Sequence, residues 1–500
     1  MSETVGAAEP ALLKAPVPPP GVAEVREPKT ARWRGWQVMV GLALLAIAVR
    51  LPSFLSSRHL VFDDGTYGVS VLDMRNGLLP YREVFSAQGP LHFPLLYLGD
   101  LLGLRTIEGP RVTPMLAGIA ATVGAWAIAR RLAGRTAGLI AGVLVATSGT
   151  MIWTTSQVTG DGPAAGLVVC AVWAALVYRD DPRLRRALIT GVVMGAALAV
   201  KPVVLPAALP VGWWLWSRHR LDHLASAVGA AVVLWFASAL PWGLGRVWQQ
   251  SIAYNTGAGP HYAKVAQLRK LLSTLGSRDL LVVGAILLAL VATIVASRPK
   301  SSPPASESKR TLRRDDLIVV TAWTVATAVA LVLEPALYTN HLAAIVPPLA
   351  ILAAILTRTP RLLVALLVLL LPWSAANLHV ILWPTGYRGA SADLVHSLKA
   401  LPRGALAIGD EPGFLFHAAL ATPPLMNDAS VKRIDQHLLT TAMIERAAAA
   451  KNVCAVVVWS PRFGRDLPGL PAALRRDGLV VAHTYGGLRK LWLRPACRPD

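Results

Sequence analysis

Apolar runs of about 20 residues recur along the chain, and each is long enough to cross a bilayer as a helix. Hydrophobic residues make up 54% of the 500 residues and charged residues only 15%, unlike the composition of a water-soluble globular protein. The sequence therefore predicts a polytopic α-helical membrane protein with eleven transmembrane helices. The predicted spans begin near Trp36, Val112, Ala137, Pro163, Ala187, Val203, Ala225, Leu280, Leu317, Leu342 and Leu362.

The net charge is +21, but the Lys and Arg residues occur in short clusters between the apolar runs. They form no basic stripe, so a nucleic-acid partner is not indicated. By the positive-inside rule the clusters are cytoplasmic, which predicts a multi-pass protein of the cell (inner or plasma) membrane with its N-terminus inside and its C-terminus outside. The clusters are Lys29–Arg34, Arg130–Arg135, Tyr178–Arg186, Ser217–Arg220, Ser297–Arg314 and Arg358–Arg361.

Both ends of the chain differ in composition from the middle. Residues 1–35 are rich in Pro, Ala and Glu and predict a disordered cytoplasmic tail. Residues 36–384 form the predicted transmembrane domain. Residues 385–500 alternate strand-like runs such as VCAVVVWS with helix-like stretches such as LLTTAMIERAAAAK, which predicts a small extracytoplasmic α/β domain. Cys454 and Cys497 fall in this domain. They could pair in an oxidising compartment, but the sequence does not fix their separation.

The first predicted outer loop begins with VFDDGTYGVSV, residues 61–71, where Asp63 and Asp64 follow the first span directly. Adjacent carboxylates repel each other when both are ionised, and partial dehydration raises proton affinity further, so one of them could serve as a general base. A solvated turn is the alternative. Later in the loop, residues 90–104 form a short apolar stretch with two prolines. We expect it to be a helix lying along the outer membrane interface.

Four more ionisable residues are predicted at the outer ends of spans, namely Asp161, Lys201, Glu334 and His341. Such groups are costly at membrane depth and usually line a functional cavity, so we expect one site at the outer face. Asp161 could instead only cap its helix, and Lys201 could extend to the interface. Weaker candidates in the outer loops are Tyr67, Arg82, Tyr254, Asn255, His261 and Lys264. Asp410 and Glu411, in the C-terminal domain, are interpreted as loop residues.

Several segments, in their order along the chain, resemble the GT-C membrane glycosyltransferases, especially the protein O-mannosyltransferases and the aminoarabinose transferase of lipid A. They are VFDDGTYGVSVLDMRNGLLPYREVFSAQGPLHFPLLY, TTSQVTGDGPAAGLVVCAVWAALVY, GVVMGAALAVKPVVLPAALP and YTNHLAAIVPPLAILAA. The likeness covers most of residues 36–380. It departs from the usual pattern at Asp64, where Glu is commoner.

The resemblance implies transfer of a sugar, with inversion, from a polyprenyl-phosphate donor to a glycan, lipid or protein acceptor of the cell envelope. It implies that Asp63 is the catalytic base and that Asp64 supports it. Asp161 would organise the acceptor or a divalent ion, and a Mg or Mn ion on Asp63, Asp64 and Asp161 is a candidate cofactor. The donor phosphate would be bound by Lys201, His341 and Arg82. The donor or acceptor would contact Tyr67, Tyr254, Asn255, His261 and Lys264.

Two other classes of protein have similar hydropathy. A transporter or lipid flippase also carries charges among its spans, and a non-catalytic protein could bind a polyprenyl lipid. Transporters typically place such charges near the bilayer midplane and often contain related halves. Here the charges are predicted at one face and no internal repeat is evident, so an enzyme is favoured.

Overall fold

A computed structural model of the chain describes residues 29–55, 62–217, 219–257, 264–296, 314–335, 337–357, 359–383 and 386–497. Three predicted features lie outside the described residues. They are most of the N-terminal tail, His261, and most of the basic segment that follows Ala296. The described part is a bundle of long apolar helices followed by a small α/β domain.

The bundle is built from apolar helices, as the hydropathy predicts. Among the described residues, seven helices are long and apolar enough to cross a membrane, or up to nine if each of two bent pairs is one span. The chain is therefore a multi-pass membrane protein. The bundle helices are Lys29–Phe54, Val112–Ala133, Arg135–Thr147, Gly149–Ser156, Asp161–Asp180, Leu184–Val200, Ala208–Trp216, Leu221–Ala239, Lys264–Arg278, Leu280–Ala296, Arg314–Leu333, Val346–Leu356 and Pro360–Leu382.

This count is lower than the eleven spans predicted from the sequence. All the predicted spans fall on helices, but the helix near Ala187 has only 17 residues, and the apolar helix Pro202–Trp216 is also short. Another predicted span is bent by 58° between Thr147 and Gly149. Ser148 causes the break, because its extended backbone ends one helix and its side chain accepts a hydrogen bond from the Met151 N–H of the next.

The first loop contains two helices, Phe62–Arg75 and His92–Leu102. We call Phe62–Arg75 the first-loop helix. The predicted interfacial helix corresponds to His92–Leu102, which exposes an apolar face including Leu98, Leu101 and Leu102, as a helix at a lipid interface would. The Arg75 Nε donates to Asp100 at 2.9 Å and joins the two helices. A second connecting segment follows Leu221–Ala239 and contains Leu244–Val247, the π-helical turn Trp248–Ala253, and Tyr254–Thr256.

The C-terminal domain is built on a four-stranded sheet of order β1-β2-β4-β3. The strands are β1 Leu406–Gly409, β2 Val453–Val458, β3 Val480–Gly486 and β4 Arg489–Leu493. β1 and β2 are parallel and the other pairs are antiparallel. The helices of the domain are Ala390–Lys399, Pro412–His417, Val431–Asp435, Thr441–Ala448, Pro461–Gly464 and Leu470–Arg476. A disulfide joins Cys454 to Cys497, with their Cα atoms 5.5 Å apart.

The C-terminal domain packs closely against the first-loop helix. A Cβ atom at Gly65 would lie 2.2 Å from the backbone nitrogen of Gly413, and one at Gly68 would lie 2.4 Å from the Phe416 ring. Only glycine permits these two approaches. Nearby, buried Asp73 accepts hydrogen bonds from the Thr422 N–H at 2.8 Å and the Thr422 hydroxyl at 2.6 Å. The domain and the first-loop helix are therefore held together by backbone contact and by a buried polar pair.

Replacing Asp73 with Ala is expected to destabilise this junction by about 1–3 kcal/mol, because the Thr422 N–H and hydroxyl would remain buried without an acceptor. Thermal unfolding in detergent would measure the loss. Asp393→Ala is the control, since Asp393 is an exposed carboxylate of the C-terminal domain. Equal melting temperatures for the two variants would contradict the prediction.

Candidate active site

A cavity of about 1160 Å³ is lined jointly by the helix bundle, the first-loop helix and the C-terminal domain. Much of its wall is apolar, including the turn from Pro202 to Leu209. Polar and charged side chains enter it from both domains. They are Asp63, Thr66, Tyr67, Gln88, Asp161, Lys201, Ser251, Tyr254, Asn255, Thr256, Lys270, Glu334, Tyr338, Asn340, His341, Asp428, Ser430, Lys432 and Arg462.

Asp63 is the member of the Asp pair that faces this cavity. It lies in the first turn of its helix, where the helix dipole favours a carboxylate. Its Oδ2 accepts a hydrogen bond from the Asn340 amide at 2.9 Å. Burial raises the pKa of Asp63 to about 6, although Lys201 and His341 act in the opposite direction. Asp63 is therefore ionised near neutral pH and still has a raised affinity for a proton.

Asp64 points away from the cavity into the protein. Its Oδ1 accepts hydrogen bonds from the Arg111 Nε at 3.2 Å and the Val158 N–H at 2.8 Å, and its Oδ2 forms a buried ion pair with Arg111. Arg111 also donates to the Ser53 and Phe54 carbonyls at 3.2 and 2.7 Å. The predicted catalytic role of Asp64 does not match this position. Both of its oxygens are occupied, so Asp64 anchors the helix that carries Asp63.

Asp161 and Lys201 form an ion pair in the cavity wall, with the Lys201 Nζ 2.7 Å from the Asp161 Oδ2. Lys201 has an extended backbone just before Pro202, a position where proline disfavours helix. Its side chain therefore leaves the end of one helix and reaches the start of Asp161–Asp180. The Asp161 Oδ1 is buried and has no hydrogen-bond partner among the described residues, so it is available to accept a hydrogen bond from a ligand hydroxyl.

His341 also lines the cavity, and its Nδ1 lies 2.8 Å from the Glu334 Oε2. The adjacent Asn340 was not predicted as a site residue. Its Oδ1 accepts from the Trp153 indole N–H at 3.0 Å, which fixes the amide so that its nitrogen faces Asp63. Nothing in the local sequence distinguishes Asn340 from an ordinary loop residue.

Of the loop candidates, Tyr67, Tyr254 and Asn255 line the cavity. Arg82 is exposed and outside the cavity lining, so its predicted contact with a donor phosphate is not supported. Lys264 donates to backbone carbonyls at the end of Arg314–Leu333, including that of Glu334 at 3.0 Å. It stabilises a helix end instead of facing the cavity.

The three carboxylates considered as metal ligands do not come together. Asp64 is bound to Arg111 and Asp161 to Lys201. Within the described ranges, no group of three or more His, Cys, Asp or Glu side chains could hold a metal ion. The residues present therefore do not fit the expected Mg or Mn site.

The C-terminal domain supplies part of the cavity wall through residues that the sequence did not single out. Lys432 lies in the first turn of Val431–Asp435, Asp428 lies in the loop just before that helix, and Arg462 comes from Pro461–Gly464. Arg462 forms an ion pair with Glu411 and lies over the Phe62 ring at 4.1 Å. Buried Asp410 accepts from the N–H groups of Trp459 and Ser460, both at 2.8 Å. Asp410 and Glu411 therefore hold the loop that positions Arg462.

The protein has the GT-C fold, which is the architecture of membrane glycosyltransferases. Its parts are the helix bundle, the helical first loop and a small α/β domain beside the cavity. This confirms, at the level of the fold, the resemblance inferred from the sequence. Residues 88–242 match the family model of dolichyl-phosphate-mannose-protein mannosyltransferases. The comparison with curated proteins found no match.

Two solved structures with this fold are particularly informative. ArnT from Cupriavidus metallidurans bound to undecaprenyl phosphate has a TM-score of 0.64 and 15% sequence identity, and the match covers 92% of this chain and 98% of that chain. The archaeal oligosaccharyltransferase AglB from Archaeoglobus fulgidus, in complex with an inhibitory peptide and a dolichol-phosphate, has a TM-score of 0.51 and 13% identity. That match covers 93% of this chain and 75% of AglB.

Proposed function

We propose that the protein transfers a sugar from a polyprenyl-phosphate donor to a glycan, lipid or protein acceptor of the cell envelope. The observation that carries the proposal is the position of Asp63, a carboxylate of raised pKa in a partly apolar cavity beside Lys201 and His341. Structures of similar fold were solved with undecaprenyl phosphate and with a dolichol-phosphate, which supports a lipid-linked donor.

In the proposed reaction, an acceptor hydroxyl oxygen attacks the anomeric carbon of the donor while Asp63 takes the hydroxyl proton. The bond from the anomeric carbon to the phosphate oxygen breaks, and the phosphate leaves with the electron pair. A single displacement of this kind inverts the anomeric configuration. Because the Asn340 amide occupies the Asp63 Oδ2, the Oδ1 is the oxygen placed to receive the proton. Lys201 and His341 would stabilise the negative charge that grows on the phosphate.

We also propose that the cavity and the C-terminal domain face the outside of the cell membrane and that the N-terminus is cytoplasmic. The distribution of Lys and Arg clusters supports this orientation. The Cys454–Cys497 disulfide supports it as well, since disulfides persist mainly in oxidising compartments. A lipid-borne donor would then reach the cavity from the bilayer and the acceptor from outside.

The direct test is to incubate the purified protein in lipid nanodiscs with radiolabelled polyprenyl-phosphate sugars and a panel of envelope acceptors. We expect label on an acceptor and release of unglycosylated polyprenyl phosphate. In sealed vesicles, movement of intact donor between leaflets without cleavage would instead identify a flippase. Binding without either cleavage or movement would identify a non-catalytic lipid-binding protein.

The pH profile of transfer follows from the raised pKa of Asp63. The carboxylate accepts a proton only when it is ionised, so kcat/KM should fall as the pH is lowered through about 6. Initial rates between pH 5 and 8 would measure this, with thermal unfolding at each pH as the control for stability. A profile that is flat through this range would contradict the role of Asp63.

A further inference from the structure

The cations that line the cavity differ in how their charges are compensated. Lys201 is paired with Asp161 at 2.7 Å, and His341 contacts Glu334 at 2.8 Å. Lys432, from the C-terminal domain, has only neutral contacts. Its Nζ lies 2.7 Å from the Asn255 Oδ1, 3.5 Å from the Asn255 carbonyl and 4.5 Å from the centre of the Tyr254 ring. In the part of the chain that the structure describes, no carboxylate lies within ion-pair distance of Lys432.

The charge of the Lys432 ammonium group is also poorly hydrated. Lys432 is only 8% exposed, and burial lowers the pKa of its ammonium group to about 8. Glu334 and Asp428 favour the charged form from a distance, while Lys201 opposes it. A buried ammonium group without a counter-ion is costly, and a bound anion would offset that cost.

The Lys432 side chain is held in place by a built framework. The Asn255 amide donates to the Ala87 and Ser251 carbonyls at 2.7 and 2.8 Å, which fixes its Oδ1 toward Lys432. The Tyr254 ring beneath the ammonium is held by a hydrogen bond between its hydroxyl and the Ser430 hydroxyl at 3.1 Å. The ammonium is thus positioned before any ligand arrives, which lowers the entropy lost on binding.

We propose that Lys432 binds the phosphate of the lipid donor, so that the C-terminal domain forms part of the donor site. The inference rests on the proposed function and adds a residue to it. An ammonium group has three N–H donors, and the bond to the Asn255 Oδ1 uses one of them. Lys201 and Lys432 line the same cavity from different domains, so a phosphate bound there would meet positive charge from both.

The test compares binding of undecaprenyl phosphate and of uncharged undecaprenol to the full chain in nanodiscs. In Lys432→Gln, we expect the Kd for undecaprenyl phosphate to rise about tenfold or more, because a charge-assisted hydrogen bond is lost. Binding of undecaprenol should not change. Lys432→Arg should keep most of the affinity. Lys451→Gln is the matched control, because Lys451 is exposed on the same domain, and it should bind both lipids as the wild type does.

The outcomes separate this inference from the proposed function. If the wild type binds undecaprenyl phosphate no better than undecaprenol, the proposal that the protein uses a lipid-phosphate donor is wrong. If the wild type prefers the phosphate and folded Lys432→Gln keeps that preference in full, only the role of Lys432 is wrong. If inorganic phosphate binds to Lys432 as tightly as undecaprenyl phosphate, the site recognises a free anion and the inference also fails.

A second variant covers the case in which Lys432→Gln does not fold. Asn255→Ala keeps the Lys432 charge but removes the oxygen that holds it. We expect a smaller loss, about threefold to tenfold, that is confined to the phosphate lipid. An equal loss for undecaprenyl phosphate and undecaprenol would indicate a general distortion of the cavity and would count against the inference.

Discussion

Sugar transfer by Asp63→Asn is expected to be slower than that of the wild type by a factor of about 10² to 10⁴, the usual contribution of a positioned general base. Asparagine has nearly the same shape as aspartate but cannot accept a proton from the acceptor hydroxyl. The substitution removes a negative charge near Lys201 and His341, so the donor phosphate should bind at least as well as before. The predicted result is a loss in kcat with the Kd for undecaprenyl phosphate unchanged or lower.

Single-turnover transfer and separate binding measurements would distinguish these two effects. The matched control is Asp393→Asn, an exposed carboxylate of the C-terminal domain, which should be fully active. A rate within tenfold of the wild type would rule out Asp63 as the base. A large loss of donor affinity would instead assign Asp63 to binding.

Arg111→Met is expected to give the largest loss of stability. The change removes the charged partner of Asp64 and leaves a buried carboxylate with only the Val158 N–H to compensate it, and breaking a buried ion pair in this way typically costs about 3–5 kcal/mol. The double variant Asp64→Asn with Arg111→Met should recover part of this loss, because the amide is uncharged. Thermal unfolding in detergent, followed by intrinsic fluorescence, would measure both.

The control for this experiment is Arg131→Met. Arg131 forms an ion pair with Asp180 in which the two side chains are 32% and 39% exposed, and exposed pairs contribute only about 0–1 kcal/mol. Equal melting temperatures for Arg111→Met and Arg131→Met would show that Asp64 is not an anchor. In the folded fraction of Arg111→Met, transfer should also be slow, since the first turn that carries Asp63 would no longer be fixed.

Much of the fold was predictable because hydropathy and strand patterns are local properties. The apolar runs fell on helices, and the three strand-like runs GALAIGD, VCAVVVWS and GLVVAHTY coincide with β1, β2 and β3. β4 was missed, although Gly486 and Gly487, which both have positive φ, mark the hairpin turn before it. The bend at Ser148 was not predicted, since the length of an apolar run says nothing about a change of direction within it.

The site was predictable only in part. Asp63, Asp161, Lys201 and His341 were expected together because each lies at an end of a span, and the structure places all four around one cavity. The roles of Asp63 and Asp64 could not be separated from the sequence, because the prediction did not place the pair on a helix. On a helix, neighbouring side chains point about 100° apart, so one faces the cavity and the other faces Arg111.

The contribution of Lys432 could not be predicted from the sequence. It lies in a different domain from the span ends and meets Asn255 across a sequence separation of 177 residues. No local pattern indicates such a contact, since it depends on how the C-terminal domain docks onto the bundle.

The close fit at Gly65 and Gly68 also defines the unit that can be exchanged between related proteins. The backbone of Gly413 and the ring of Phe416 occupy the space that side chains at Gly65 and Gly68 would fill. A C-terminal domain grafted from a relative would therefore clash with the first-loop helix unless the contacting surfaces of the two matched. A functional chimera would therefore need to carry residues 62–75 together with residues 386–497, although more than 300 residues separate them in the sequence. In evolution these two distant segments should change as a pair.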